Sequence, residues 1–127
     1  MVSFAELELG SGQPIYLQII RYLKQAMAAG TVADGDEMPS RRILSALLGV
    51  NPNTVQKAYR VLEEEGLIVS HSGAKSYVSV NPAQMAAIRR QLLEAEVQSM
   101  VEAMKQMGVT REEAVRMIDT LWKEDDR

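Results

Sequence analysis

The four residues Leu48-Gly49-Val50-Asn51 restrict the folding of this chain more than any others, because they separate two short segments of helical periodicity. A turn of about three or four residues containing glycine sets consecutive helices at a steep angle, the geometry of a helix-turn-helix. Before the turn, Pro39 precedes Ser40, a good N-cap. The spacing there predicts a helix to about Leu48 that buries Ile43, Leu44, Leu47 and Leu48. After the turn, Asn51 caps the next segment, with Pro52 at its first position and Thr54 in its first turn. That helix continues through Val55, Ala58, Tyr59 and Leu62 until Gly66 ends it.

The surrounding sequence completes the pattern. The first ten residues read as extended or loosely ordered. Pro14 suits a first helical position, and Tyr16, Ile19, Ile20, Leu23 and Met27 then recur at helical spacing, which predicts a helix over 14–29 closed by Gly30. Residues 35–38 read as a turn and then a short extended piece. Residues 67–70 and 76–80 are β-prone, and the five residues His71-Ser-Gly-Ala-Lys75 between them form a loop of hairpin length, so the hairpin reads as a wing. Asn81-Pro82 marks a boundary. Beyond it Leu93, Val97, Met100, Met104 and Met107 form an apolar stripe at 4-3-4-3 spacing, ended by Gly108. Thr110-Arg-Glu-Glu113 is a capping box that opens a last helix with Ala114, Met117, Ile118, Leu121 and Trp122 on one side.

Composition excludes several classes of function. The 127 residues contain no cysteine and one histidine, so neither a disulfide framework nor a thiolate metal site is available, and structural or catalytic zinc is not expected. Ser40 and Ser45 have no base in a credible constellation, and the glycines spell neither a P-loop nor a dinucleotide fingerprint. The expectation is a protein that is not an enzyme and needs no metal or cofactor. The N-terminus lacks the pattern of a secretory signal, and no run approaches the roughly 18 apolar residues of a membrane span. The chain therefore reads as cytoplasmic.

Net charge is −3, which by itself argues against a polyanionic partner. The charges are segregated, however. No acid falls between Glu37 and Glu63, where Arg41, Arg42, Lys57 and Arg60 lie, and none between Glu65 and Glu94, where Lys75 lies. Screening confines distant charge to roughly 8–10 Å, so a locally basic face on an acidic chain can still bind phosphates.

A helix entering a DNA major groove by its N-terminal end would present Asn51, Pro52, Asn53, Thr54 and Gln56. Asn and Gln can pair bidentately with adenine, and Thr can reach a thymine methyl or a phosphate. Asn51 and Thr54 can equally be capping residues, but capping does not require Asn53 or Gln56. Lys57 and Arg60, one turn on, suit backbone contact. Arg41 and Arg42 oppose the dipole at the start of their helix, so a phosphate partner would favour them there, with pairing to Asp36 or Glu37 as the alternative. In the wing, Ser72, Gly73 and Lys75 are placed for backbone or minor-groove contact, and His71 reads as a plain loop residue.

The combined pattern resembles the winged helix-turn-helix domain of the GntR family of bacterial transcription regulators. It is carried by Pro14-Ile-Tyr, Gly35-Asp36, Met38-Pro-Ser-Arg-Arg42, Leu48-Gly-Val50, Thr54-Val55, Ala58-Tyr59, Leu62-Glu-Glu-Glu-Gly-Leu67 and Gly73 to Val78. Asn51 to Tyr59 and the short C-terminal segment resemble the YtrA-like subfamily, whose members carry two dimerisation helices in place of an effector domain. The resemblance implies that Arg42 contacts DNA, that residues 51–56 read it, and that Ser72 and Gly73 form the wing tip. Two departures matter. Many relatives carry arginine where Pro52 and Gln56 stand, and the usual second wing glycine is Lys75 here.

The expected architecture is mainly α with a small β-wing (α+β). A winged helix-turn-helix domain over 1–80 is followed by a helical dimerisation segment over 81–127, with Leu93, Val97, Met100, Met104, Met107, Ile118, Leu121 and Trp122 at the interface. Two helices of this length cannot close a core between themselves, so they are read as packing on a symmetry mate. The expected partners are double-stranded DNA and a second copy of the chain. By resemblance, the expected role is a repressor of a transporter operon. The rival readings are a winged-helix adaptor that binds protein instead of DNA, and the DNA-binding segment of a larger aminotransferase-fused regulator. Against the latter, the Thr110 helix and charged tail read as a finished C-terminus.

Overall fold

The computed structural model describes residues 1–71 and 75–125. Its elements in chain order are α1 (Ile15–Ala29), α2 (Arg41–Leu48), α3 (Pro52–Glu64), β1 (Ile68–Ser70), β2 (Ser76–Val78), α4 (Pro82–Gln106) and α5 (Arg111–Asp125). The strands pair antiparallel, with Val69 opposite Tyr77, so the fold is the expected helical domain with a β-wing. By compactness the chain divides into two units, Met1–Arg90 and Gln91–Arg127. The first unit runs ten residues past the boundary expected at 80/81, since Ile88 in the opening turns of α4 is buried.

The core of the first unit is built where α1 and α2 meet α3. Ile19, Ile20, Leu23 and Met27 of α1 and Val55, Ala58, Tyr59 and Leu62 of α3 are all buried, each set recurring at three- and four-residue spacing. Gly30 stops α1 in the left-handed region at φ 77°, with Thr31 N–H donating to the Ala26 carbonyl at 3.0 Å. Ser40 caps α2 by accepting from Ile43 N–H at 3.1 Å.

α2 departs from the expected burial. Leu44 and Ser45 face inward and Leu48 is half-buried, but Ile43 and Leu47 are 59% and 57% exposed. An eight-residue helix can turn only one narrow stripe inward. Successive side chains rotate by roughly 100°, so a stripe through Leu44 and Leu48 carries Ile43 and Leu47 out together. Ser45 is tolerated inside because its hydroxyl donates to the Arg42 carbonyl at 3.1 Å.

The N-terminal residues also depart from expectation, since they are packed rather than loose. Val2 and Phe4 are buried, the Phe4 ring lies 5.3 Å from that of Tyr22, and Val2 N–H donates to the Glu37 carbonyl at 2.8 Å. The Gln18 carboxamide ties the rest of the arm to α1 through Gly10 and Gln13. With so few aromatics in the chain, the core is completed from its own N-terminus.

Residues 35–38 add a short third edge to the wing. Glu37 bridges Tyr77, Gly35 N–H donates to Val78 and Met38 N–H to Ser76. Asp34 accepts from Val80 N–H at 2.9 Å, anchoring the strand exit. Asn81 and Gln84 then exchange hydrogen bonds, each side chain accepting from the other's backbone N–H, to open α4.

In the second unit, Gly108 adopts φ 73° after α4, and Thr110 Oγ1 accepts from Glu113 N–H at 3.2 Å to open α5. The expected stripe is largely uncovered within the chain. Leu93, Val97, Met100, Met107, Ile118, Leu121 and Trp122 are exposed and Met104 is half-buried. Met100, Ile118, Leu121 and Trp122 line one open groove.

Candidate nucleic-acid interface

The turn forms as the glycine requires. Gly49 takes φ 67°, and both Gly49 and Val50 donate to the Ser45 carbonyl, which closes α2 and redirects the chain. Asn51 Oδ1 then accepts from Asn53 N–H at 2.8 Å, and Pro52 occupies the first position of α3. Asn51 is thus a cap, with its side-chain N–H groups remaining as donors. Thr54 is half-buried. Asn53 and Gln56 are exposed, and their side-chain amides make no hydrogen bond among the described residues.

The cations divide into two groups. Arg42, Lys57 and Arg60 are exposed and have no acidic partner among the described residues. Asn53, Gln56, Lys57 and Arg60 recur at three- and four-residue spacing and so share the exposed side of α3, while Arg42 is exposed in the first turn of α2. Arg41 instead turns inward. Its guanidinium bonds Glu63 Oε1 at 2.9 Å and lies over the Tyr59 ring, 4.9 Å from the centroid. Tyr59 donates to the Pro39 carbonyl at 2.6 Å, and Glu63 Oε1 also accepts from Ser70 Oγ at 2.8 Å. Burial pushes the Tyr59 phenol far above its ordinary range, with the Arg41 charge acting the other way. Arg41 is therefore a clasp joining the start of α2, the end of α3 and the wing strand β1. Its partner is Glu63 rather than Asp36 or Glu37.

In the wing, Lys75 lies 3.6 Å from Glu37 and stays exposed, while His71 packs its ring 5.2 Å from that of Tyr77. Ser72 and Gly73, expected at the wing tip, lie outside the described residues. One residue that touches this candidate surface does not stand out in the sequence. Tyr16 of α1 sits beneath the Lys57 ammonium, 4.1 Å from ring centroid to nitrogen. Pro14, Tyr16, Asn51, Asn53, Thr54 and Lys57 line one open cleft between the starts of α1 and α3. Tyr16 stood in the apolar stripe of α1, where its spacing spoke only for the core.

Residues 15–78, from the first turn of α1 to the end of β2, match the gntR family of bacterial regulatory proteins. The chain belongs to the GntR family. Among curated relatives, the HTH-type transcriptional repressor YtrA of Bacillus subtilis (strain 168) is 36% identical over 102 residues, 80% of this chain and 74% of that one. That alignment is too long to lie within residues 15–78 alone. Among solved structures, a GntR family transcriptional regulator from Listeria monocytogenes is similar with a TM-score of 0.79 and 27% identity, over 88% of this chain and 98% of that one. The DNA-binding domain of AraR in complex with operator ORX1 is similar with a TM-score of 0.51 and 25% identity, over 57% of this chain and 93% of that one.

The GntR match spans every residue of the Arg41 clasp and all of the α1–α3 cleft except Pro14, and stops before α4. Among the described residues no cluster of three or more His, Asp or Glu side chains is grouped to hold a metal, and no helix is long and apolar enough to cross a membrane.

Proposed function

We propose that this GntR-family regulator is a homodimeric transcriptional repressor, which inserts the N-terminal end of α3 into the major groove of an inverted-repeat operator. The observation that carries the reading is the exposed face of α3 with Asn53, Gln56, Lys57 and Arg60, joined by Arg42 exposed in α2, since none of these cations has an acidic partner among the described residues. Unpaired cations beside free amides suit a surface that grips phosphates and reads base edges. The likeness to the repressor YtrA and to an operator-bound domain supports the same role. Residues 1–80 act as the DNA-binding domain, with Ser72, Gly73 and Lys75 of the wing reaching the backbone or minor groove, and 81–127 as the dimerisation segment. The exposed apolar stripe of α4 and α5 supports that division, since large apolar patches on a free surface mark interaction sites. The protein works in the cytoplasm as a binding protein, not an enzyme, and the YtrA likeness favours a transporter operon as target.

A two-fold dimer places its recognition helices on half-sites about 34–36 Å apart, or a multiple of that. The test is a selection on random duplex DNA at two salt concentrations. An enriched inverted repeat is the expected result. In the same assay Arg42→Ala weakens operator binding several-fold and lowers the salt slope by about one, because one phosphate contact is lost. Salt-sensitive binding with no enriched motif would leave charge attraction alone, and the protein-adaptor reading would replace this one.

A further inference from the structure

Lys57 and Tyr16 come from different helices and meet outside the buried core. The ammonium lies 4.1 Å from the ring centroid, at the cleft between the starts of α1 and α3. Lys57 is exposed, Tyr16 is half-buried, and no acid among the described residues neutralises the lysine. This partnership differs in kind from an ion pair. A carboxylate would consume both the charge and the N–H donors of the ammonium. An aromatic face attracts the cation through its quadrupole without neutralising it, and leaves the N–H groups that point away from the ring available to oxygen ligands. The first turns of both helices also lack acidic residues, so nothing local offsets a positive field there.

A free lysine samples many rotamers, and binding a phosphate arrests most of them. Holding the side chain beforehand removes part of that entropic penalty. We propose that the α1–α3 cleft seats a backbone phosphate of the operator, and that Tyr16 is the positioning residue that holds Lys57 ready for it. This rests on the DNA-binding reading above and adds to it a contact unit spanning α1 and α3.

The experiment titrates the full-length protein with the operator duplex recovered by selection, across a salt series, with a thermal melt of each variant to confirm folding. Lys57→Met lowers the magnitude of the salt slope by about one and weakens binding several-fold. Tyr16→Leu weakens binding about two- to five-fold, the range of an exposed cation–π contact. Tyr16→Phe, which keeps the ring, recovers that loss, and Tyr16→Leu has no further effect in the Lys57→Met background. The proposal is overturned if Tyr16→Leu costs the same with and without the lysine, or if Tyr16→Phe binds as poorly as Tyr16→Leu. It is equally overturned if Lys57→Met keeps the wild-type affinity and salt slope, a result that stands even where Tyr16→Leu fails to fold. A wild-type protein that prefers no duplex would instead sink the DNA-binding reading itself.

Discussion

Two adjacent arginines open α2, and a helix turns successive side chains by roughly 100°. That rotation sends Arg41 toward Tyr59 and Glu63 and leaves Arg42 facing solvent. Sequence alone treats them as a pair, since each is a cation at the positive end of a helix. The structure assigns Arg41 an internal electrostatic partner and leaves Arg42 without one among the described residues. Arg41→Ala removes a half-buried ion pair and a cation–π contact, together worth about 1–2 kcal/mol. For a domain of this size the melting temperature then falls by about 4–16 °C. Arg42→Ala stays within about 0.5 kcal/mol of wild type, as exposed substitutions usually do. Parallel thermal melts test this, and equal destabilisation by the two would remove the distinction.

At the scale of the element, the N-terminal arm and α2 show how packing assigns roles that periodicity leaves open. Residues 1–10 carry only two short apolar alternations, Val2/Phe4 and Leu7/Leu9, which suggest extended chain but no burial, yet Val2 and Phe4 are buried and Phe4 packs on Tyr22. The reverse holds in α2, where Ile43 and Leu47 fit a helical stripe and remain outside. Phe4→Ala in the full chain therefore costs about 3–5 kcal/mol, the range for deleting a buried aromatic ring. A denaturant titration gives the value, and a loss under about 1 kcal/mol would mean that the arm does not contribute to the core. Asn51 shows the same economy on a smaller scale: its carboxamide oxygen caps α3 while the exposed side chain keeps its N–H donors.

For the whole molecule, the two units divide hydrophobic surface unequally. Met1–Arg90 buries most of its large apolar residues, Ile43 and Leu47 being exceptions, whereas Gln91–Arg127 leaves Leu93, Val97, Leu121 and Trp122 in solvent. Placing a charge on that surface opposes any association through it. The double variant Leu121→Glu/Trp122→Glu is expected to sediment as a monomer while the winged unit melts as in wild type. Operator affinity then falls by about 10²-fold or more, since the second half-site no longer binds as an intramolecular event. A variant that stays dimeric would place the interface elsewhere.

The turn residues, caps and spacing of aliphatics around Leu48-Gly49-Val50-Asn51 were enough to predict the winged helix-turn-helix, because each acts through local backbone geometry and neighbouring turns. The exposure of Asn53, Gln56, Arg42, Lys57 and Arg60 was legible for the same reason, since solvent-facing positions of a helix follow from its period. The Arg41 clasp on Glu63, the burial of Phe4 and the seating of Lys57 on Tyr16 depend on contacts between residues 22, 18 and 41 positions apart. Such contacts exist only once α1, α2 and α3 have packed, and a local pattern carries no record of which distant side chain will arrive. Folding therefore decides which of several equivalent cations and apolar residues work inside and which remain for a partner.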